Sequence, residues 1–164
     1  MRRLVFIQYI FFISIFGLFA CGTDNSSESN RNERTQDTEE TKEADDFEVS
    51  INVENDDDIL EVYATITYIG EEDKADIYHG GSIFFFNLYE INGEFEYLGG
   101  MDQPLLTTTL QKDEIHKVEF TDPVLNELGP GGYEFEAIAH FSLDGDNIID
   151  TKIEIPVSKI VKIE

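Results

Sequence analysis

A chain of 164 residues with 35 acids against 11 lysines and arginines carries a formal charge of −24. Beyond Arg2 and Arg3 no lysine–arginine cluster interrupts that field, which repels phosphate backbones and excludes nucleic acid as a partner. The one cysteine, Cys21, excludes an internal disulfide, a cysteine zinc site and an iron–sulfur centre.

Taken in chain order, Met1-Arg2-Arg3 is a positive start, and residues 4–20 form an apolar run broken only by Gln8, Ser14 and Gly17. This charge order is that of a secretory signal. The run is also close to the shortest membrane-spanning helix, so an uncleaved anchor is the competing reading. Leu18-Phe19-Ala20-Cys21, followed by Gly22, resembles the lipobox of bacterial lipoproteins, with Phe19 in place of the usual smaller residue. The resemblance implies a signal peptide over 1–20, cleavage before Cys21, and lipid on its thiol. It places the protein at the cell membrane, lipid-anchored on the extracytoplasmic face. Loss of Arg2 and Arg3 leaves nine bases against 35 acids, a net −26.

Residues 22–46 contain nine acids, three bases, no aromatic residue and one aliphatic side chain, Ala44. Such a segment buries too little apolar area to offset the entropy of ordering. With Cys21 it is read as a disordered acidic tether over 21–46, with a reach of roughly 25–30 Å.

The texture changes at Phe47. Phe47, Val49, Ile51 and Val53 alternate with polar residues, and a second strand covers Leu60 to Tyr68. Residues 70–81 read as a polar connection. A strand over 83–91 ends at Asn92-Gly93, a hairpin pair, and returns over 94–98. Residues 115–120 form another strand. A long strand over 133–143 puts Tyr133, Phe135, Ala137, Ala139 and Phe141 on one side, and Asp144-Gly145-Asp146-Asn147 turns into a last strand beginning near 148. Seven or eight strands without a long helical pattern predict an all-β, immunoglobulin-like sandwich over 47–164. Leu128-Gly129-Pro130-Gly131-Gly132-Tyr133 is similar to the tyrosine corner at which such chains cross between sheets.

The run from Gly81 to Gly93 (GSIFFFNLYEING), Leu110 with Glu114, and the Leu128–Tyr133 corner together resemble the BsuPI-type intracellular proteinase inhibitor domain. The resemblance spans about Leu60 to Leu143. It implies an immunoglobulin-like fold of a kind that recurs in bacterial lipoproteins, and it raises inhibition of extracytoplasmic proteases as an alternative function. The chain departs from that family at Phe85, where an acid is usual, and in lacking tryptophan.

Signals of catalysis are absent from the sequence. His79, His116 and His140 have no metal-ligand spacing, Ser82, Ser142 and Ser158 lack a nucleophile-elbow context, and no phosphate loop occurs. The expectation is therefore a non-catalytic module that binds a protein or envelope component. Two features locate candidate sites. Residues 83–88 are apolar on both sides; with Phe84, Phe86 and Leu88 inward, Ile83, Phe85, Tyr89 and Ile138 form an outward partner-binding stripe. The loops 70–81 and 144–147 are expected at one pole, where Asp73, Asp76, Asp144, Asp146 and Asp150, near Glu71 and Glu72, could gather around Ca²⁺; no other cofactor is implied. The tether is expected to join the domain at that pole.

Overall fold

The computed structural model describes residues 39–56, 59–100 and 104–164. The leader, Cys21 and the tether as far as residue 38 lie outside the described residues. The described residues form ten strands: β1 (Thr41–Ala44), β2 (Phe47–Asp56), β3 (Ile59–Tyr68), β4 (Lys74–His79), β5 (Phe84–Glu90), β6 (Glu96–Leu98), β7 (Leu106–Gln111), β8 (Ile115–Glu119), β9 (Gly131–Ser142) and β10 (Lys152–Ile163). One sheet runs β1-β2-β3-β8. In the other, β9 pairs with β5 and β10, β5 with β6, and β4 with β7. Every strand-to-strand pairing is antiparallel. The two antiparallel sheets enclose one buried core, an all-β sandwich in which β2 lies against β9 and β10.

Alternation decides which side chains meet between the sheets. Phe47, Val49, Ile51 and Val53 are buried, as are Val62, Ala64, Ile66 and Tyr68 opposite them on β3. Tyr133, Phe135, Ala137, Ala139 and Phe141 fill the core from β9, and Ile155 and Val157 from β10. Phe47 meets Phe141 edge-on at 4.8 Å across the sheets, and Phe86 stacks on Phe120 at 4.8 Å. Each fully buried large side chain contributes roughly 1.5–3 kcal/mol, which is what holds a domain without disulfides.

Four expectations about the chain's path are corrected. The described residues make ten strands where alternation predicts seven or eight, because the polar strands β1, β4 and β7 carry little apolar alternation of their own. The tether does not run to residue 46: Thr41–Ala44 pairs with β2 through a two-residue turn at Asp45 and Asp46, both at positive φ (50° and 67°). Residues 70–81 are not simply a connection, since they contain β4, which pairs with β7, a strand the sequence reading missed. The last strand starts at Lys152 rather than near 148, because Ser142 Oγ bonds Thr151 Oγ1 and Asp144, closing residues 142–151 into a loop.

β1 also moves the domain's entry point. It runs from mid-height toward the pole, with Ile51 N bonded to Glu40 O at 3.0 Å and Ser158 N to Glu39 O at 3.0 Å. The described chain therefore enters beside β10, not at the acidic pole. At the other crossing, the 3₁₀ turn Pro123–Glu127, capped by Asp122, leads from β8 into Leu128–Pro130 and β9. Tyr133 serves this corner by packing: its buried ring lies edge-on to Phe95 at 6.2 Å, and among the described residues its hydroxyl makes no upstream backbone bond.

Candidate functional site: the outer face of β5, β9 and β10

Strand register sets the layout of this face, because directly opposed residues point the same way. A row of Phe85, Ile138 and Pro156 crosses its centre. Below it run Leu98, Asn87, Glu136 and Ser158, then Glu96, Tyr89, Glu134 and Ile160. Above it stand His140 and Glu154. Phe85, Ile138 and Tyr89 are half-buried, whereas Leu98 (60%) and Ile160 (38%) are exposed large apolar side chains.

Of the four stripe residues expected from sequence, three hold this face and one does not. Ile83 is 2% exposed and belongs to the core. The reason is a bulge. Tyr78 opposes Ser142 and Phe84 opposes Ala139, so the chain takes six steps along β4–β5 against three along β9. Gly80, Gly81 and Ser82 absorb the excess, and the period-two count fails across them. Ile83 and Phe84 then both point inward, while His140 N bonds Ile83 O at 2.8 Å. Pro156, Leu98 and Ile160 were missed because their place on the face depends on strand pairing, which one sequence does not state.

Polar contacts fix the face. Asn87 Nδ2 donates to Glu136 Oε2 at 2.8 Å, and Gly99 N donates to Asn87 Oδ1 at 3.2 Å, tying β5 to β9 and to the end of β6. The Phe85 and His140 rings meet edge-on at 5.2 Å. Burial lowers the pKa of His140, with Glu154 at 3.5 Å opposing the shift, so the imidazole is held toward its neutral form. Lys152 lies 2.8 Å from Glu154 and, through that hydrogen bond, holds its carboxyl below the usual range.

The acidic pole is corrected. Asp73 and Asp76, on the turn before and the body of β4, and Asp144, Asp146 and Asp150, in the β9–β10 loop, do not converge as calcium ligands. No group of three or more acidic, histidine or cysteine side chains among the described residues has metal-holding geometry. These carboxylates are engaged locally or scattered: Thr109 Oγ1 donates to Asp76, and Asp146 N donates to Asp144 Oδ1 at 2.9 Å. The Tyr78 ring lies against Gly145, occupying space between the two segments.

His79 sits on β4 rather than in a loop, and it is buried. Its Nδ1–H donates to Gly80 O at 2.8 Å, and its Nε2 lies 2.8 Å from Thr108 Oγ1, whose hydroxyl is able to donate to a neutral ring. Burial lowers its pKa, which agrees. Both nitrogens are used structurally. A shallow cleft of about 260 Å³ lies between Leu60, Tyr63, Lys117, Phe120 and Leu125, where Lys117 Nζ rests 4.0 Å above the Tyr63 ring. That lysine is also 3.0 Å from Glu119.

No helix among the described residues is long and apolar enough to cross a membrane. No family model, no curated protein and no solved structure matches the chain.

Proposed function

We propose that the protein is an exported lipoprotein, held to the outer face of a membrane through Cys21, whose sandwich binds a protein or envelope partner without catalysing a reaction. The binding surface is the outer face of β5, β9 and β10. The observation that carries this reading is the central apolar row Phe85–Ile138–Pro156, flanked by exposed Leu98 and Ile160. In a sandwich whose core is already filled from the opposite side of the same strands, these side chains add nothing to that core. Grouped apolar surface rimmed by polar residues is how partner sites differ from scattered surface aliphatics. The lipobox-like Leu18–Cys21 and the acidic segment after it supply the anchor and the spacing.

The experiment places a photo-crosslinking residue at position 85 or at position 115 of the full chain in its native membranes. Ile115 is apolar and 73% exposed but lies on the other sheet. One discrete product is expected from position 85, none from 115, and the product should disappear when Ile138→Asp is added. Equal labelling from both positions overturns the binding face. The anchor is tested on the same material: Cys21→Ser should abolish metabolic labelling by palmitate, and unchanged labelling overturns it.

A further inference from the structure

Resting on the reading of this face as a binding surface, we infer that its partner is a cationic polypeptide segment that presents apolar side chains among its bases. The three rows from Phe85 to Ile160 carry Glu96, Glu134 and Glu136 and not one lysine or arginine. Beyond these rows the bases of the face are engaged: Lys152 lies 2.8 Å from Glu154, Lys162, the next outward residue of β10 after Ile160, lies 3.1 Å from Glu164, and burial draws His140 toward neutrality. The face therefore shows an apolar centre with carboxylates on one flank. Its complement is a surface with matching apolar groups and bases beside them.

The whole-chain charge narrows the occupant further. A second copy brings another −24 and a face with the same carboxylates, so self-association is opposed. Anionic lipid and nucleic acid are opposed for the same reason. A divalent cation is no better suited, since no three carboxylates among the described residues converge. An extended polypeptide fits the geometry. Same-side residues repeat every ~6.8 Å along any strand, so its alternate side chains fall in step with Glu134, Glu136 and Ile138 of β9. The apolar row supplies the grip, while the carboxylates, exposed at Glu96 and half-buried at Glu134 and Glu136, select the partner and speed encounter.

The test uses the full chain in mild detergent at about 0.15 M salt, where general attraction is screened beyond ~8 Å. The probe is an acetylated, amidated peptide of about twelve residues mixing lysine and valine, long enough to span a strand of this length. A peptide of equal charge with serine for valine is the comparison. Glu96→Gln with Glu136→Gln keeps shape and removes two charges from the face. Glu71→Gln with Glu72→Gln removes two from the acidic turn. The face pair is expected to weaken lysine–valine binding about fivefold and the turn pair less than about twofold, the size expected of a few exposed charge contacts. The serine peptide should bind at least about tenfold more weakly than the valine peptide. Equal losses from both pairs, or equal affinity for both peptides, overturn the inference, because bulk charge would then explain the binding. A position-85 crosslink that survives the face pair would likewise leave the binding face standing and remove its cationic partner.

Discussion

Phe85 and Ile83 are two residues apart and read alike on period-two counting, yet they have opposite physical roles. Ile83 is sealed in the core by the Gly80–Ser82 bulge, whereas Phe85 lies half-buried on the outer face beside His140. Truncating Ile83 leaves a void that close-packed neighbours fill only in part. Ile83→Ala should therefore cost about 2–4 kcal/mol of folding stability. Phe85→Ala removes surface contacts from a side chain that water already reaches, and should cost no more than about 1.5 kcal/mol. Urea unfolding of both variants checks this, and equal losses would show Phe85 to be core. The inward residues of β2 and β9 were legible from alternation alone, because those strands carry no extra residue across the buried part. Ile83 was not legible, because a bulge changes the phase of alternation without leaving a unique mark in the residues. The acids failed as calcium ligands for a related reason: sharing a pole does not bring carboxylates within one ion's coordination distance, and Asp144 is already bonded to the Asp146 amide.

Elements rich in apolar alternation announced themselves, and those at the edges did not. β1 (TKEA), β4 (KADIYH) and β7 (LTTTLQ) are polar, short, or both, and each is recruited by a neighbour rather than by its own pattern. β1 is the clearest case. Its four residues are held by β2, by the Glu40 and Glu39 carbonyls bonded to Ile51 and Ser158, and by the Lys159–Glu40 ion pair at 3.2 Å. The last is exposed and weak. The turn that joins β1 to β2 puts both aspartates at positive φ, the geometry of a type I′ turn, for which Asn-Gly is the favoured pair. Glycine at Asp46 relieves the left-handed strain, and asparagine at Asp45 removes one of two adjacent charges. Asp45→Asn with Asp46→Gly should stabilise the hairpin by about 0.5–1 kcal/mol. That slows exchange of the Ile51 and Ser158 amides about two- to fivefold if β1 opens as a local unit. Unchanged exchange at both amides would mean that β1 opens only with the whole domain.

At the scale of the molecule, the all-β class, the number of sheets and the placement of the core followed from strand period and turn spacing, whereas the strand order had to be seen. Charge is the other whole-molecule property readable from residues, and it has a consequence for stability. The described ion pairs, Lys42–Glu39, Lys117–Glu119, Lys152–Glu154, Lys159–Glu40 and Lys162–Glu164, are solvent-accessible contacts that contribute little. Set against them is the mutual repulsion of an excess of 24 negative charges, which is greatest in the compact state. Repulsion should win. Raising sodium chloride from about 0.01 M to about 0.5 M shortens the screening length from ~30 Å to ~4 Å, and the melting temperature should rise by several degrees, equivalent to about 1–2 kcal/mol. A protein held together by its surface ion pairs would instead melt at a lower temperature as salt is added, and that result would reverse the argument. Because no three carboxylates converge on one cation among the described residues, calcium and magnesium chlorides at matched ionic strength should raise the melting temperature equally; a clear excess for calcium would mean that a site assembles where none is now described.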